Sequence, residues 1–242
     1  MAVCDSFFYT NPGGRDHNED AVGEKEFSSG HLFLLADGLG GHQRGELASA
    51  CVVDAMKNTP GPEEGQELSQ WMAQQVQRAN QQLLALREST HCGMKSTVVA
   101  LFVSKEGAFW AHVGDSRLYY LHRDRLVSVT NDHSVAFAKY KSGEITRGQI
   151  GKDEDQSSLL RALGNPERNH PDLGNSQEAL QQGDGFLLCS DGVWEYLYDG
   201  EVLTDFLKTE TAQAWGELLL LRVMERIEPG NDNLSLITVR LV

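Results

Sequence analysis

The chain is poor in cysteine, has no long apolar run and carries no excess of basic residues, and each shortage removes a class of protein. Its four cysteines, at positions 4, 51, 92 and 189 of 242, form no C-x-x-C pair and no dense framework. Neither a disulfide-stapled secreted fold nor a thiolate metal site is expected; reduced, mostly buried thiols are. The longest apolar stretches, "STVVALFV" at 96–103 and "LLLL" at 218–221, are far shorter than the roughly eighteen residues that span a bilayer. The opening "MAVCDSFFYTNPGGRD" has neither the basic start nor the apolar centre of a secretory signal. A cytoplasmic protein with no membrane segment is therefore expected. Lys and Arg number 21 against 35 Asp and Glu, a net charge of −14. That is the opposite of the basic face a nucleic acid requires.

What the chain does have is enough apolar residues, 40%, for an ordinary core. No linker or repeat divides it, so residues 1–242 read as one domain. Apolar runs rich in β-branched residues fall at 31–36, 96–103, 108–113, 117–121, 125–130, 185–189 and 234–241. Two pairs read as hairpins, across "SKEG" and across "HRD". Helical spacing occupies roughly 44–57 and 63–88, the latter with a stripe of Leu68, Trp71, Met72, Val76, Ala79, Leu83 and Leu86. Further helices are expected at 133–141, 156–163, 199–208 and 211–227. Hairpins mixed with helices, without strict alternation, predict an α+β fold of antiparallel sheets covered by helices. The polar stretch from Asn131 to about Gly164 reads as a mobile surface segment.

The aspartates fall in a pattern. Asp37 ends the run "HLFLLADGLGGH", Asp115 sits in the Gly-Asp-Ser turn of "AFWAHVGDSRLYY", and Asp191 follows the run in "GFLLCSDGVWEYL". Asp232 does the reverse, preceding the final run in "EPGNDNLSLITVRL", while Glu19 and Asp20 lie together in "GGRDHNEDAVGE". One Asp-Gly at a strand end is an ordinary turn. Several brought to one sheet edge would repel one another, and burying them unpaired is costly. A resident divalent cation resolves the conflict, and hard oxygen donors favour Mg²⁺ or Mn²⁺ over Zn²⁺. On this reading Asp37 is a metal ligand, and the glycine after it lets a backbone carbonyl approach the ion.

Eight segments in order, "RDHNED" (15–20), "ADGLGGHQRGE" (36–46), "STVVALFV" (96–103), "AHVGDSRLYYL" (111–121), "NDHS" (131–134), "RALGN" (161–165), "LLCSDGVWE" (187–195) and "DNLSLITV" (232–239), resemble the metal-dependent protein phosphatases of the PPM or PP2C family in their compact bacterial form. The resemblance implies an α-β-β-α sandwich of two packed antiparallel sheets flanked by helices. It implies hydrolysis of phosphoserine and phosphothreonine in proteins by a water or hydroxide bridging two Mn²⁺ or Mg²⁺ ions. Carried onto this sequence, Asp20 and Asp37 flank the pair, the Gly38 carbonyl meets the first ion, and Asp191 and Asp232 hold the second. Asp115, with Asp191, matches the holder of a third, weaker ion. Glu19 takes the place of a residue bonded to metal-bound water, and Arg15 that of the phosphate-binding arginine. A phosphoprotein substrate, a Ser/Thr kinase as counterpart and a monomeric state follow. Stand-alone members of this kind accompany kinases, including those controlling secretion systems.

The chain also departs from the family. Some members place a histidine directly after the Asp-Gly pair as general acid; here that position is Leu39, with His42 the nearest alternative. Residues 143–158 match the family's variable flap by position alone. His112 and His133 read as structural, Trp194 as core, and Arg117 as the partner of one of the clustered carboxylates. Gly40 to Gly45 has the spacing of a phosphate-binding loop, but Glu46 and Leu47 stand where Lys and Ser or Thr are needed. Two alternatives of other kinds are a regulatory binding module with weak or no catalysis, and a phosphatase of small phosphoesters.

Overall fold

A computed structural model describes residues 4–40 and 44–242 of the chain. One sheet is formed by β1 (Cys4–Asn11), β7 (Arg117–His122), β8 (Arg125–Val129), β10 (Gly185–Cys189) and β11 (Leu234–Leu241), in the order β1-β11-β10-β7-β8. The other contains β2 (Asp20–Phe27), β3 (Gly30–Leu39), β5 (Val98–Ser104), β6 (Ala108–Val113) and β9 (Asp172–Asn175), in the order β2-β3-β5-β6-β9, with the short β4 (Lys95–Ser96) beside β3. Every strand pairing is antiparallel.

Period-two alternation of side chains makes four layers from these two sheets. Phe33 and Leu35 of β3, Val99 and Leu101 of β5, Phe186 and Leu188 of β10, and Ile237 and Val239 of β11 meet between the sheets. The alternate residues of the same strands face outward onto helices. Leu32, Leu34, Val98 and Phe102 pack on α1 (Gly45–Lys57) and α2 (Leu68–Thr90). Leu187, Cys189 and Leu236 pack against α3 (Val135–Ser142), α4 (Asp191–Trp194), α5 (Asp199–Lys208) and α6 (Ala212–Met224). Both faces of the central strands are buried, so those strands are apolar at most positions. The architecture is thus the α-β-β-α sandwich.

Local chemistry sets the ends of these elements. Glu67 caps α2 by accepting from the amides of Ser69 and Gln70, Ser134 caps α3 and Thr211 caps α6. The turn between β7 and β8 is Arg123–Asp124, both at positive φ (46° and 61°), the two-residue geometry that suits a twisted hairpin.

Three strands, β1, β2 and β9, lie outside the apolar runs. All three are edge strands, and their sequences (CDSFFYTN, DAVGEKEF, DLGN) mix polar with apolar residues because they are partly exposed. The helix expected at 156–163 does not form. Its backbone amides bond outward: Leu160 N donates to His133 O, Ala162 N to Arg168 O and Leu163 N to Ser96 O, leaving none for an i−4 ladder. Isolated bridges Ser134–Leu159 and Ser96–Leu163 stand in its place.

The sheets bring the carboxylate-bearing strand ends to one end of the sandwich. Asp20 opens β2 directly opposite Asp37 on β3. Cys189 at the end of β10 pairs with Leu236 near the start of β11 and with Arg117 at the start of β7. The residues just beyond those ends, Asp191, Asp232 and Asp115, therefore converge.

Candidate active site

A cleft of about 460 Å³ opens at this end, lined among others by Arg15, Glu19, Asp37, Gly38, Asp115, Asp191 and Asp232. Asp37 is fixed through its backbone: its amide donates to Thr97 Oγ1 (2.9 Å) and its carbonyl accepts from Thr97 N (2.8 Å). Gly38 N donates to the Glu19 carbonyl at 3.0 Å. A Cβ at position 38 would collide with the Gly45 backbone, so only glycine brings β3 this close to the start of α1. Glu19 bridges the same junction, its carboxylate accepting from Gly45 N (3.2 Å) and its amide donating to Asn233 Oδ1 (2.7 Å). Asn233 in turn donates to the carbonyls of Pro12 and His17, each at 2.9 Å, tying the loop that carries Arg15 to the start of β11.

Asp20 sits deeper. It is 8% exposed and its carboxylate accepts from Ser190 Oγ at 2.8 Å. Asp115 is also buried, and the Trp194 indole donates to its carbonyl at 2.9 Å. Asp191 and Asp232 bend back onto their own turns, their carboxylates accepting from Gly192 N and Asn233 N at 2.8 Å each. Arg15 Nη2 reaches Asp232 Oδ2 at 3.0 Å, with both side chains about half exposed.

The arginines nearby, Arg15 and Arg117, offset only part of this negative charge. Burial first, then the neighbouring aspartates, push Asp37 and Asp115 well above the usual carboxylate range. Burial likewise raises Asp20 to about 7 against the opposing hydrogen bonds of Ser235 and Ser190, and raises Asp191 to about 6 with help from Asp232. Asp191, Asp20, Asp115 and Asp232 all act on Asp37 as like charges that disfavour its ionised form. A bound cation would relieve that repulsion. The donor set is all oxygen and several carboxylates deep, and Gly38 lines the same cleft. It fits a pair of hard divalent cations.

A second group, His112, His133 and Asp172, brings ligand atoms within 4.8 Å of one another. Its cation position is already filled, for Arg161 Nη1 lies 2.6 Å from Asp172 Oδ1 and 3.2 Å from His133 Nε2. The two rings stack at 4.7 Å, His112 Nε2 bonding Asn131 O and His133 Nδ1 accepting from Gly114 N. The site expectations thus meet a mixed outcome. Arg15, Glu19, Asp37, Gly38, Asp115, Asp191 and Asp232 share the cleft wall, with Asp20 behind them. His42 lies outside the described residues. Arg117 pairs with none of the clustered carboxylates: it forms a bidentate bond to Asp132 (2.8 and 2.6 Å) and stacks over Trp194 at 3.5 Å. Asp132 is nine-tenths buried beside it, and so gives the closer and better desolvated partner. Trp194 is core, yet its indole also holds the Asp115 loop.

Sequence reasoning passed over Ser190, Asn233, Thr97 and Glu195. Burial, with the charges of Asp191, Asp232 and Asp115, lifts Glu195 to about 9. Ser157 and Leu159 line the cleft as well. Ser190 and Asn233 each neighbour a singled-out aspartate, which is the one signal that could have found them.

The chain matches the family described as Protein phosphatase 2C over residues 14–217. It is 34% identical over 203 residues to the serine/threonine phosphatase stp of Listeria welshimeri, covering 81% of this chain and 79% of that protein. Its structure superposes on that of the serine/threonine phosphatase Stp1 from Staphylococcus aureus with a TM-score of 0.87, at 28% identity, covering 99% of this chain and 96% of the other. The catalytic domain of the serine threonine protein phosphatase PstP in complex with two manganese ions gives 0.81, again at 28% identity, covering 99% and 98%. Sequence order, four-layer fold and acidic cleft agree, and the chain belongs to the protein phosphatase 2C family.

Proposed function

We propose that this chain is a Mn²⁺- or Mg²⁺-dependent hydrolase of phosphoserine and phosphothreonine in proteins. Residues 1–242 act as one catalytic domain, monomeric and cytoplasmic, reversing the work of a Ser/Thr kinase. The observation that carries the reading is the convergence of Asp37, Asp115, Asp191 and Asp232 on one cleft, with Asp20 buried behind them, where the half-exposed Arg15 pairs with Asp232 alone. No helix among the described residues is long and apolar enough to cross a membrane.

Asp20, Asp37 and the Gly38 carbonyl would hold the first ion, Asp191 and Asp232 the second, and Asp115 with Asp191 a third, weaker one. When bound, the ions supply Lewis acidity that activates water for in-line attack on phosphorus and offsets the phosphate's charge. The protein's own residues do the rest. Thr97 and Ser190 orient Asp37 and Asp20, and Asn233 fixes the loop that presents Arg15. With Asp232 engaged in the metal site, the half-exposed Arg15 guanidinium would be free to take two oxygens of the substrate phosphate. Glu19, held by Gly45 N at the cleft wall, accepts a proton from water in the site.

The test is phosphate release from a phosphothreonine peptide by purified protein, with Mn²⁺ and then with EDTA. Release that depends on Mn²⁺ supports the reading. Folded protein that releases none moves it to a binding module, and release only from small phosphoesters to the other alternative.

A further inference from the structure

The flap, residues 143–158, puts Ser157 in the cleft wall beside Leu159, which directly follows it, and three fastenings hold the flap. Lys139 Nζ of α3 reaches Asp153 Oδ1 and Asp155 Oδ2, each at 2.8 Å. Ile150 is buried in the helix-side core together with Trp194 and Leu197. Arg147 Nε meets Asp199 Oδ2, on the first residue of α5, at 2.7 Å. Arg147 to Lys152 forms a single 3-10 turn, and Gly151 within it rests on Glu195. A Cβ there would meet Glu195 Cγ at 3.0 Å, Cβ at 3.2 Å and Cα at 3.3 Å. The last is backbone and cannot swing aside. Gly148, three residues earlier in the same turn, faces open space within 4 Å.

Glu195 directly follows α4, whose first residue, Asp191, lines the cleft and whose last, Trp194, holds the Asp115 carbonyl. The flap therefore sits on the same short helix that carries Asp191, with Ile150 packed beside Trp194 and Gly151 in close contact with Glu195. A small phosphoester needs only the cluster and Arg15 at the cleft floor. A protein phosphosite, longer on both sides, must also pass the wall that Ser157 and Leu159 form.

We propose that Gly151, resting on Glu195, is the seat that fixes the flap against the cleft, and that this seat sets the preference for a protein phosphosite over a small phosphoester. The proposal rests on the phosphatase reading above. A side chain at position 151 must push the turn and Glu195 apart by a few tenths of an ångström, and on this proposal that small displacement reaches Ser157 and Leu159 while the groups at the cleft floor stay in place.

The experiment compares full-length wild type, Gly151→Ala, Gly148→Ala and Arg147→Gln with Mn²⁺, on a phosphothreonine peptide and on p-nitrophenyl phosphate. Gly151→Ala raises the peptide KM about tenfold and leaves kcat/KM for the small ester within about twofold, as a displaced contact wall requires. Gly148→Ala, the same chemical change without the contact, leaves both substrates as in wild type. If Gly151→Ala fails to fold, Arg147→Gln, which frees the same turn from Asp199, gives the same split. Equal loss on both substrates, no loss on either, or equal effects at 148 and 151 would overturn the proposal. A wild type inert on both substrates would instead overturn the phosphatase reading.

Discussion

Two acidic clusters in this molecule have opposite electrostatics. Between α5 and α6, Glu201 receives two bonds from Arg226 (2.6 and 2.7 Å) and one from Arg222 (3.1 Å), while Arg222 also grips the buried Asp205. There the arginines, by hydrogen bonding foremost, hold the Glu201 carboxyl down at about 2. At the cleft, the half-exposed Arg15 pairs with Asp232 alone, and burial drives Asp20, Asp37, Asp115 and Asp191 upward. The difference separates structure from function. Where the chain supplies its own cations, the carboxylates bind helix to helix; where it withholds them, the site is built for cations from solution.

The sharpest break of that comparison is Asp37→Asn. Losing a central donor of the cleft should cut Mn²⁺-supported turnover by at least about 10²-fold, since a bound metal contributes several kcal/mol to the transition state. The metal-free variant should melt no lower than wild type, because a repelling charge has gone. Turnover near wild type, measured by phosphate release, would remove Asp37 from the metal site.

Arg15→Ala comes next. It should lower kcat/KM by about 10- to 100-fold, the worth of hydrogen bonds to a charged group. Because Arg15 occupies Asp232 in the metal-free protein, Mn²⁺ affinity, read by titration calorimetry, should hold or tighten. Weaker metal binding would make Arg15 part of the metal scaffold instead.

The pH dependence of melting sharpens the contrast, since the clusters have opposite signs. In metal-free protein, Asp20 and Asp191 titrate near 7 and 6 against an ordinary 3.8, so the folded state holds protons that the unfolded chain has released. Stability from that region falls as pH rises from about 4 to about 7. Glu201, lowered from 4.5 to about 2, contributes stability that is present above 4.5 and lost as pH falls through about 2. Calorimetry in EDTA should therefore show a higher Tm at pH 5 than at pH 8, and Mn²⁺ should remove most of the slope. A slope untouched by Mn²⁺ would point to general repulsion on the acidic surface.

The smallest effect is expected from Glu201→Gln. It should cost about 1–2 kcal/mol of stability through weakened charged hydrogen bonds and leave kcat/KM within about twofold. A large kinetic loss would mean that the α5–α6 network reaches the cleft.

Much of this was legible in advance for a physical reason. Strands buried on both faces, such as β3, β5 and β10, have apolar residues at nearly every position, and their runs stood out. β1, β2 and β9 are partly exposed, so their mixed residues hid them. The 156–163 segment looked helical because apolar spacing carries no record of where amides donate; here they donate to His133, Arg168 and Ser96. Asp37, Asp115, Asp191 and Asp232 were found because each interrupts or borders a run. Glu195 and Ser157 border none and entered the site only through packing.

The sequence by itself determined which strands are central, that carboxylates stand at their ends, and that no basic surface or apolar span exists to suggest another class of partner. Those are properties of composition and period, and local residues suffice to state them. Only the tertiary structure decided that Arg117 pairs with Asp132, that Trp194 holds Asp115, and that the flap rests through Gly151 on Glu195. Each joins segments distant in sequence, and their partners were chosen by burial and geometry once the sheets had closed.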